Sequence, residues 1–310
     1  MRILSVSAPS GDRGPAVGYA NHRAALQKYG IEITELDESI WASDDAISDF
    51  SVAWAYVRFH PAILERCMKL GVKFIVGPNT LFERGDVGPS DDWEKWLLNA
   101  GADLHVNVAD YYTQHVACFM GPATRCRTLE YAYEMPTLED HQASTTSRHN
   151  EVLLYVKDRV NDGAALHIAD ELQRALHASR ITSSQIVYGQ HQRQDFIDAC
   201  LRSKLCAWIS IEDYCSLAQI EAHLCGCRVI GTPWNLTIPT DSLSIVNGAQ
   251  SFDIKSWVSW SSSREIVDAY VDAIVSALEG TDPAHVRQTA QFRHGYTSYV
   301  SRVRSLVGGL

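Results

Sequence analysis

Between Glu212 and Pro233 the chain reads EDYCSLAQIEAHLCGCRVIGTP, with Glu212, Asp213 and Glu221 as acids and Cys215, Cys225 and Cys227 as thiols. Ser216 and Gln219 form an S-x-x-Q capping box, which predicts a helix beginning at Ser216. Leu217, Ile220 and Leu224 make its apolar stripe, and Gly226 supplies a left-handed stop. Asp213 then lies just ahead of a helix start, where unsatisfied backbone N–H groups suit a phosphate or sugar oxygen. Glu221 falls at the border of the stripe. An unpaired buried carboxylate costs several kcal/mol in lost hydration, so Glu221 is expected to face an Arg or Lys, backbone amides, or ligand hydroxyls. The plainer alternative is a solvated helix start with an ordinary ion pair. Two cysteines around a turn glycine, with no second ligand pair nearby, make a poor zinc site and read as packing.

Other candidates follow apolar runs. Lys157 and Arg159 come directly after VLLYV, where they form either an anion site or a solvated charge pair. Arg58 and His60 follow another run in YVRFHP, and a lone histidine is more often structural. Gly11, Gly14 and Gly18 in SAPSGDRGPAVGY do not match the G-x-G-x-x-G dinucleotide fingerprint. Asn79 lies in GPNT, which reads as a turn or as the lining of a site.

The elements that must position these groups alternate in type. Short apolar runs at residues 2–7, 31–36, 52–57, 73–76 and 103–108 read as strands. Segments 19–29, 61–70, 93–99 and 111–120 read as helices, and residues 8–18 as a loop. Residues 134–150, EMPTLEDHQASTTSRHN, are polar and without apolar periodicity, and they mark the expected boundary. Beyond it the alternation restarts with VLLYV, QIVYG, LCAWIS and CRVIG as strands. Helices are marked by Ala165, Ile168, Leu172 and Ala175, and then by Phe196, Ile197, Cys200 and Leu201. Segments 264–278 and 285–306 are the last expected helices. The pattern predicts an α/β chain of two doubly wound halves, whose ligands sit outside the carboxyl ends of the strands.

With 310 residues, 46% hydrophobic and 21% charged, the chain has the make-up of a globular protein. Its net charge of −10 disfavours a partner recognised mainly through nucleic-acid phosphates. Eight scattered cysteines without a CxxC suit a reduced, cytoplasmic protein, and the apolar start is shorter than a signal peptide. No uninterrupted apolar stretch is long enough to span a membrane.

DYCSLAQIEAHLCGCRVIGTP resembles the nucleotide-sugar motif of family-4-type retaining glycosyltransferases with the GT-B fold. That motif is an acid, seven residues, Glu-Ala, a Cys-Gly turn and a strand. The resemblance implies that Asp213 contacts the donor sugar, with Glu212 in reserve, that Glu221 binds the ribose, and that Ser216 and Leu217 border the donor. This chain has Asp for the usual Glu, Ser216 for Gly and Arg228 for Pro. EVLLYVKDR is similar to the strand and loop whose cations hold the donor diphosphate, which implies Lys157 and Arg159, although the usual Gly-Arg…Lys-Gly signature is missing. IVYGQHQRQDF resembles the next loop, so Tyr188, Gly189 and Gln190 would border the base or phosphates. Family members carry a Gly-rich loop after the first strand, which implies an acceptor or phosphate role for Gly11 and Gly14. They also carry a histidine near the donor sugar, which implies His60.

The resemblance therefore implies an acceptor-side domain at residues 1–140, a nucleotide-sugar domain at 150–285, and a C-terminal helix at 286–310 packing back on the first domain. The implied enzyme is a retaining, metal-independent hexosyltransferase with no cofactor, taking a nucleotide diphosphate sugar, UDP-sugar favoured, to an unidentified acceptor hydroxyl. Its rivals are a nucleotide-sugar epimerase of the same fold and a non-catalytic binding or scaffold subunit. A DNA-modifying glycosyltransferase is disfavoured by the charge. The basic last segment, with Arg287, Arg293, Arg302 and Arg304, reads as structural or as a face for an anionic acceptor or membrane surface.

Overall fold

A computed structural model of the chain describes residues 1–7, 15–56, 61–78, 101–108, 110, 113, 117, 125–134, 148, 150–157, 163–210, 217–231 and 263–310. The chain divides into two compact units, Met1–Glu134 with Arg293–Leu310, and Met135–Phe292.

The first unit holds a parallel sheet of β1 (Arg2–Ser7), β2 (Glu32–Glu35), β3 (Val52–Ala55), β4 (Lys73–Val76), β5 (Leu104–Asn107) and β6 (Cys126–Thr128), in the order β2-β1-β3-β4-β5-β6. Among the described residues before 134, its helices are α1 (Pro15–Lys28), α2 (Glu38–Trp41), α3 (Asp44–Ser48) and α4 (Pro61–Leu70). Strand alternation sends Ile3, Val52, Trp54, Ile75, Leu104 and Val106 to one face, against Ala25 and Leu26 of α1. Leu4, Ala53, Ala55, Phe74 and Val76 face the other way, against Ile63, Leu64 and Cys67 of α4. Apolar residues on both faces of a parallel strand are what a sheet covered on both sides requires.

The expected loop at residues 8–18 is shorter than the spacing suggested. α1 starts at Pro15, whose fixed φ suits a first helical turn, and Gly18 lies inside it. A Cβ on Gly18 would stand 3.0 Å from Tyr131 Cε1 and 3.1 Å from Tyr56 Oη, so the missing side chain makes room for these rings. α2 and α3, which were not anticipated, are single short turns, each capped by a side chain. Asp37 accepts from Ile40 N–H and Ser43 from Ala46 N–H.

The second unit repeats the plan with β7 (Asn150–Lys157), β8 (Ser183–Val187), β9 (Ser203–Ser210) and β10 (Arg228–Ile230), all parallel in the order β10-β9-β7-β8. α5 (Ala164–Ala178), α6 (Arg193–Arg202), α7 (Leu217–Leu224) and α8 (Ser263–Gly280) surround it. Val152, Leu154, Val156, Leu205, Ala207 and Ile209 pack under α5 and α8. The alternate positions Leu153, Tyr155, Cys206 and Trp208 pack under α6 and α7. Four of the thiols belong to this second core. Cys200, Cys206, Cys225 and Cys227 are fully buried, and burial pushes Cys225 up to about 12 and Cys200 and Cys206 well above the ordinary thiol value. Such thiols are inert packing groups.

The single C-terminal helix expected at 285–306 is two helices, α9 (Pro283–His294) and α10 (Tyr296–Gly308). Gly295 between them is extended, at φ −58 and ψ 149. Tyr133 N–H donates to the His294 carbonyl at 2.9 Å, so an outside donor takes the acceptor that a continuing helix would use. From Arg293 onward the chain belongs to the first unit, with Tyr299, Val300 and Val303 in the core beside α1. Its arginines are engaged internally. Arg293 Nε donates to Glu130 Oε1 at 2.6 Å and Arg302 Nη1 to Glu130 Oε2 at 3.1 Å, while Arg304 Nη2 reaches the Tyr29 carbonyl. The structural reading of the basic segment therefore accounts for all three. The expected helices at 93–99 and 111–120 lie outside the described residues, apart from positions 113 and 117 of the latter.

Candidate functional site

The strand order of the second unit reverses direction between β7 and β9. β8 lies on one side of β7, while β9 and β10 lie on the other. Loops leaving a doubly wound sheet on either side of such a point part company and leave a crevice at the carboxyl edge. The ends of the two flanking strands are in register, with Lys157 opposite Ser210. By alternation from Tyr155 and Trp208, both point to the face covered by α6 and α7.

Lys157 is the last residue of β7 and is buried, an unusual place for an ammonium. Its Nζ stands 4.9 Å from the centre of the Tyr188 ring, within cation–π range. Tyr188 is fixed by its backbone, which donates to the Val156 carbonyl at 2.8 Å just beyond the end of β8. Gly189 follows at φ +83, and Gln190 N–H closes the turn on the Val187 carbonyl at 3.1 Å. His191 Nδ1 lies 2.9 Å from the same carbonyl and so carries its proton there. Beneath these groups Tyr155 stacks on Trp208 with centroids 4.4 Å apart and meets His191 and Phe196 edge-on.

α6 begins at Arg193, where Asp195 accepts from the Gln192 N–H at 2.9 Å and fixes the helix start. Arg193 Nε donates to Glu221 Oε1 at 2.6 Å. Because Arg193 opens a helix that leaves the carboxyl end of β8, this bond places the Glu221 carboxylate at the same edge as Lys157. α7 is not amphipathic in the expected way. Gln219, Glu221 and His223 are buried along with Ile220, Ala222 and Leu224. A helix closed in on most sides must satisfy its polar groups locally, as Arg193 does for Glu221.

The far end of α7 is anchored by two guanidinium groups. Arg148 Nη2 donates to the Cys225 carbonyl at 2.8 Å, and its Nη1 to the Ser203 carbonyl at the end of α6. Arg287, from the basic C-terminal segment, donates from Nε to the Leu224 carbonyl at 3.1 Å and from Nη2 to Cys225 at 3.3 Å. Cations at helix C-termini satisfy orphan carbonyls and suit the helix dipole. Gly226 turns the chain at φ +77, as its place after the helix suggested.

Of the candidate donor-site residues singled out in the sequence, Lys157 at the end of β7, Tyr188, Gly189 and Gln190 in the turn after β8, and Leu217 and Glu221 in α7 are described. Arg159, Glu212, Asp213 and Ser216, and in the first unit Gly11, Gly14, Arg58, His60 and Asn79, lie outside the described residues. Arg193 was missed. Its signal was present in the Gln192–Asp195 helix start, but its partner is 28 positions away and joins it only through the packing of α6 on α7. Among the described residues no group of three His, Cys, Asp or Glu side chains is arranged to hold a metal ion.

The sequence matches no protein-family model and no curated protein. Solved structures do match in fold. HepE of Anabaena, in complex with UDP and glucose, is 10% identical with a TM-score of 0.58 over all of both chains. Sucrose-phosphate synthase of Thermosynechococcus elongatus is 11% identical with a TM-score of 0.60 over 98% of each chain. The lipopolysaccharide outer core galactosyltransferase WaaB is 11% identical with a TM-score of 0.56 over all of both chains. Two doubly wound parallel sheets, with the last helix returned to the first unit, place this chain in the GT-B fold.

Proposed function

We propose that the chain is a nucleotide-sugar-dependent glycosyltransferase, moving a hexose from a nucleotide diphosphate sugar, UDP-sugar favoured, to an acceptor hydroxyl with retention and without a metal. What carries this reading is the gathering of Lys157, Tyr188 and the Arg193–Glu221 pair at the carboxyl edge of the second unit's switch point. Among proteins sharing the fold, HepE has been seen with UDP and glucose, and WaaB is a galactosyltransferase. The second unit would hold the donor and the first the acceptor.

In this scheme Glu221 accepts hydrogen bonds from the ribose hydroxyls, and Asp213, with Glu212 adjacent, contacts the sugar. Lys157 and Arg159 bind the diphosphate. As the bond from the anomeric carbon to the diphosphate oxygen breaks, its electron pair stays on that oxygen, where the two cations stabilise the developing charge. The acceptor hydroxyl attacks on the face the phosphate leaves and passes its proton to the departing diphosphate. His60 would line the sugar side, while Gly11, Gly14, Arg58 and Asn79 would contact the acceptor or phosphate. The net charge of −10 speaks against a nucleic-acid acceptor.

A thermal-shift panel of UDP-, GDP- and ADP-sugars, followed by an assay for nucleotide release, tests the reading. Stabilisation by one nucleotide sugar together with release of its nucleotide diphosphate supports a transferase. An epimerised donor with no acceptor present would point to the epimerase instead. Binding with no nucleotide release, even slowly, would remove the enzymatic reading and leave a binding subunit.

A further inference from the structure

Two carboxylates are buried among the described residues, Glu130 and Glu221, and they are paired in different ways. Glu130 is held on both oxygens by Arg293 and Arg302, whose side chains are themselves mostly covered, and the group closes on itself. Glu221 has a side chain only 9% exposed, yet its partner Arg193 is 65% exposed. An exposed arginine contributes little to stability through a screened contact, so the close hold of Arg193 on a buried carboxylate asks for a reason other than folding. Here the cation lies on the solvent side of the carboxylate, at the first residue of a helix on the carboxyl edge of the sheet.

From this asymmetry we infer that Arg193 is a positioning residue for nucleotide recognition, setting the direction in which the Glu221 carboxylate meets the vicinal hydroxyls of a nucleotide ribose. The inference rests on the nucleotide-sugar reading and adds to it the residue that orients the ribose-binding carboxylate. Nε–H holds Oε1 at 2.6 Å, and a charge-assisted bond of that length fixes where that oxygen sits. A free Glu side chain would have to give up rotamer freedom on binding, whereas one already fixed loses none. Aimed in this way, the carboxylate would distinguish a ribose from a sugar lacking its hydroxyls, because a hydrogen bond to a charged group is among the stronger polar contacts.

The test is isothermal titration of UDP, GDP and ADP against their 2′,3′-dideoxy counterparts, on wild type, Arg193→Ala and Arg193→Lys. Wild type should bind one of the ribonucleotides about 10- to 100-fold more tightly than its dideoxy form, the range expected for hydrogen bonds to a charged group. Arg193→Ala should shrink that ratio to about threefold or less while binding the dideoxy form nearly as well as wild type does. Arg193→Lys, keeping the charge but not the fork geometry, should fall between. A merely structural role would weaken both ligand forms alike, and a ratio unchanged in Arg193→Ala overturns the inference while the parent reading stands. Should the alanine variant fail to fold, a wild-type ratio in Arg193→Lys overturns it equally. Wild type that binds none of the three nucleotides overturns both readings.

Discussion

Replacing Glu221 by alanine separates ligand binding from scaffold. The ion pair it removes has an arginine that is 65% exposed, so its direct contribution to folding is small, about 0.5–1 kcal/mol after solvent screening. Deleting the buried side chain adds a cavity that α7, packed against α6, cannot fully close, and about 1–2 kcal/mol of destabilisation in total is expected. The effect on ligand should be larger. Two ribose hydroxyls donating to one carboxylate are worth about 3 kcal/mol together, or roughly 150-fold in affinity. At 100 times the dissociation constant a donor stabilises the wild-type fold by about 2.7 kcal/mol. For a unit the size of Met135–Phe292 that raises Tm by about 5–10 °C. The same ligand concentration should move Glu221→Ala by about 1 °C or less, measured against the variant's own unliganded Tm. A variant whose ligand shift equals that of wild type would refute the placement of the ribose on Glu221, whatever its basal stability.

Other outcomes follow from the same geometry. Lys157→Met should lower affinity for a nucleoside diphosphate about tenfold or more and leave the nucleoside's affinity unchanged, since only the diphosphate needs the buried cation; equal losses for both would contradict the assignment. Gly226→Ala and Gly189→Ala sit at similar φ, +77 and +83, but a Cβ at Gly226 would lie 2.6 Å from the Pro283 carbonyl while Gly189 has nothing within 4 Å. Urea melts should show about 1 kcal/mol lost at Gly189, from left-handed strain alone, and at least twice that at Gly226; equal losses would refute the steric argument. Burial lowers the pKa of His22 to about 3 and of His105 to about 4. Both histidines titrate near 6.5 when unfolded, so the unfolded chain binds more protons below that value. Their contribution to stability is complete above about pH 6.5 and is lost as the pH falls towards 4. Denaturation midpoints followed from pH 7 to pH 4 should fall, and a His105→Gln variant should fall less steeply; parallel slopes would contradict this account.

The sequence made the fold legible where one local signal sufficed. Pro61 and Gly71 bracket a helix and Lys73–Val76 an apolar strand, and both elements have the expected bounds. Short pieces escaped because their stability is not local: α2 and α3 are single capped turns, and β6 is three residues paired to β5. The break at Gly295 was hidden because the competing donor, Tyr133, lies 161 positions before the His294 carbonyl that it takes. The site divides in the same way. Lys157 and Glu221 were visible as charges next to apolar runs, in keeping with their places at a strand end and inside a covered helix. Arg193 was not, since an arginine opening a helix looks solvated until the opposing helix is known to carry a buried acid.

The pairing of Glu130 with Arg293 and Arg302 bears on the order in which the chain can acquire its structure. The first unit's core is completed by Tyr299, Val300 and Val303, and the arginines seen to hold its buried acid, Arg293 and Arg302, come after the whole of the second unit in the chain. On the ribosome the first unit therefore waits, incomplete, until residues 293–303 have followed the whole of the second unit. The second unit, contiguous from Met135 to Phe292, has everything it needs earlier. Vectorial folding would thus run in reverse of the usual N-terminal-first order, with the later half formed before the earlier one closes.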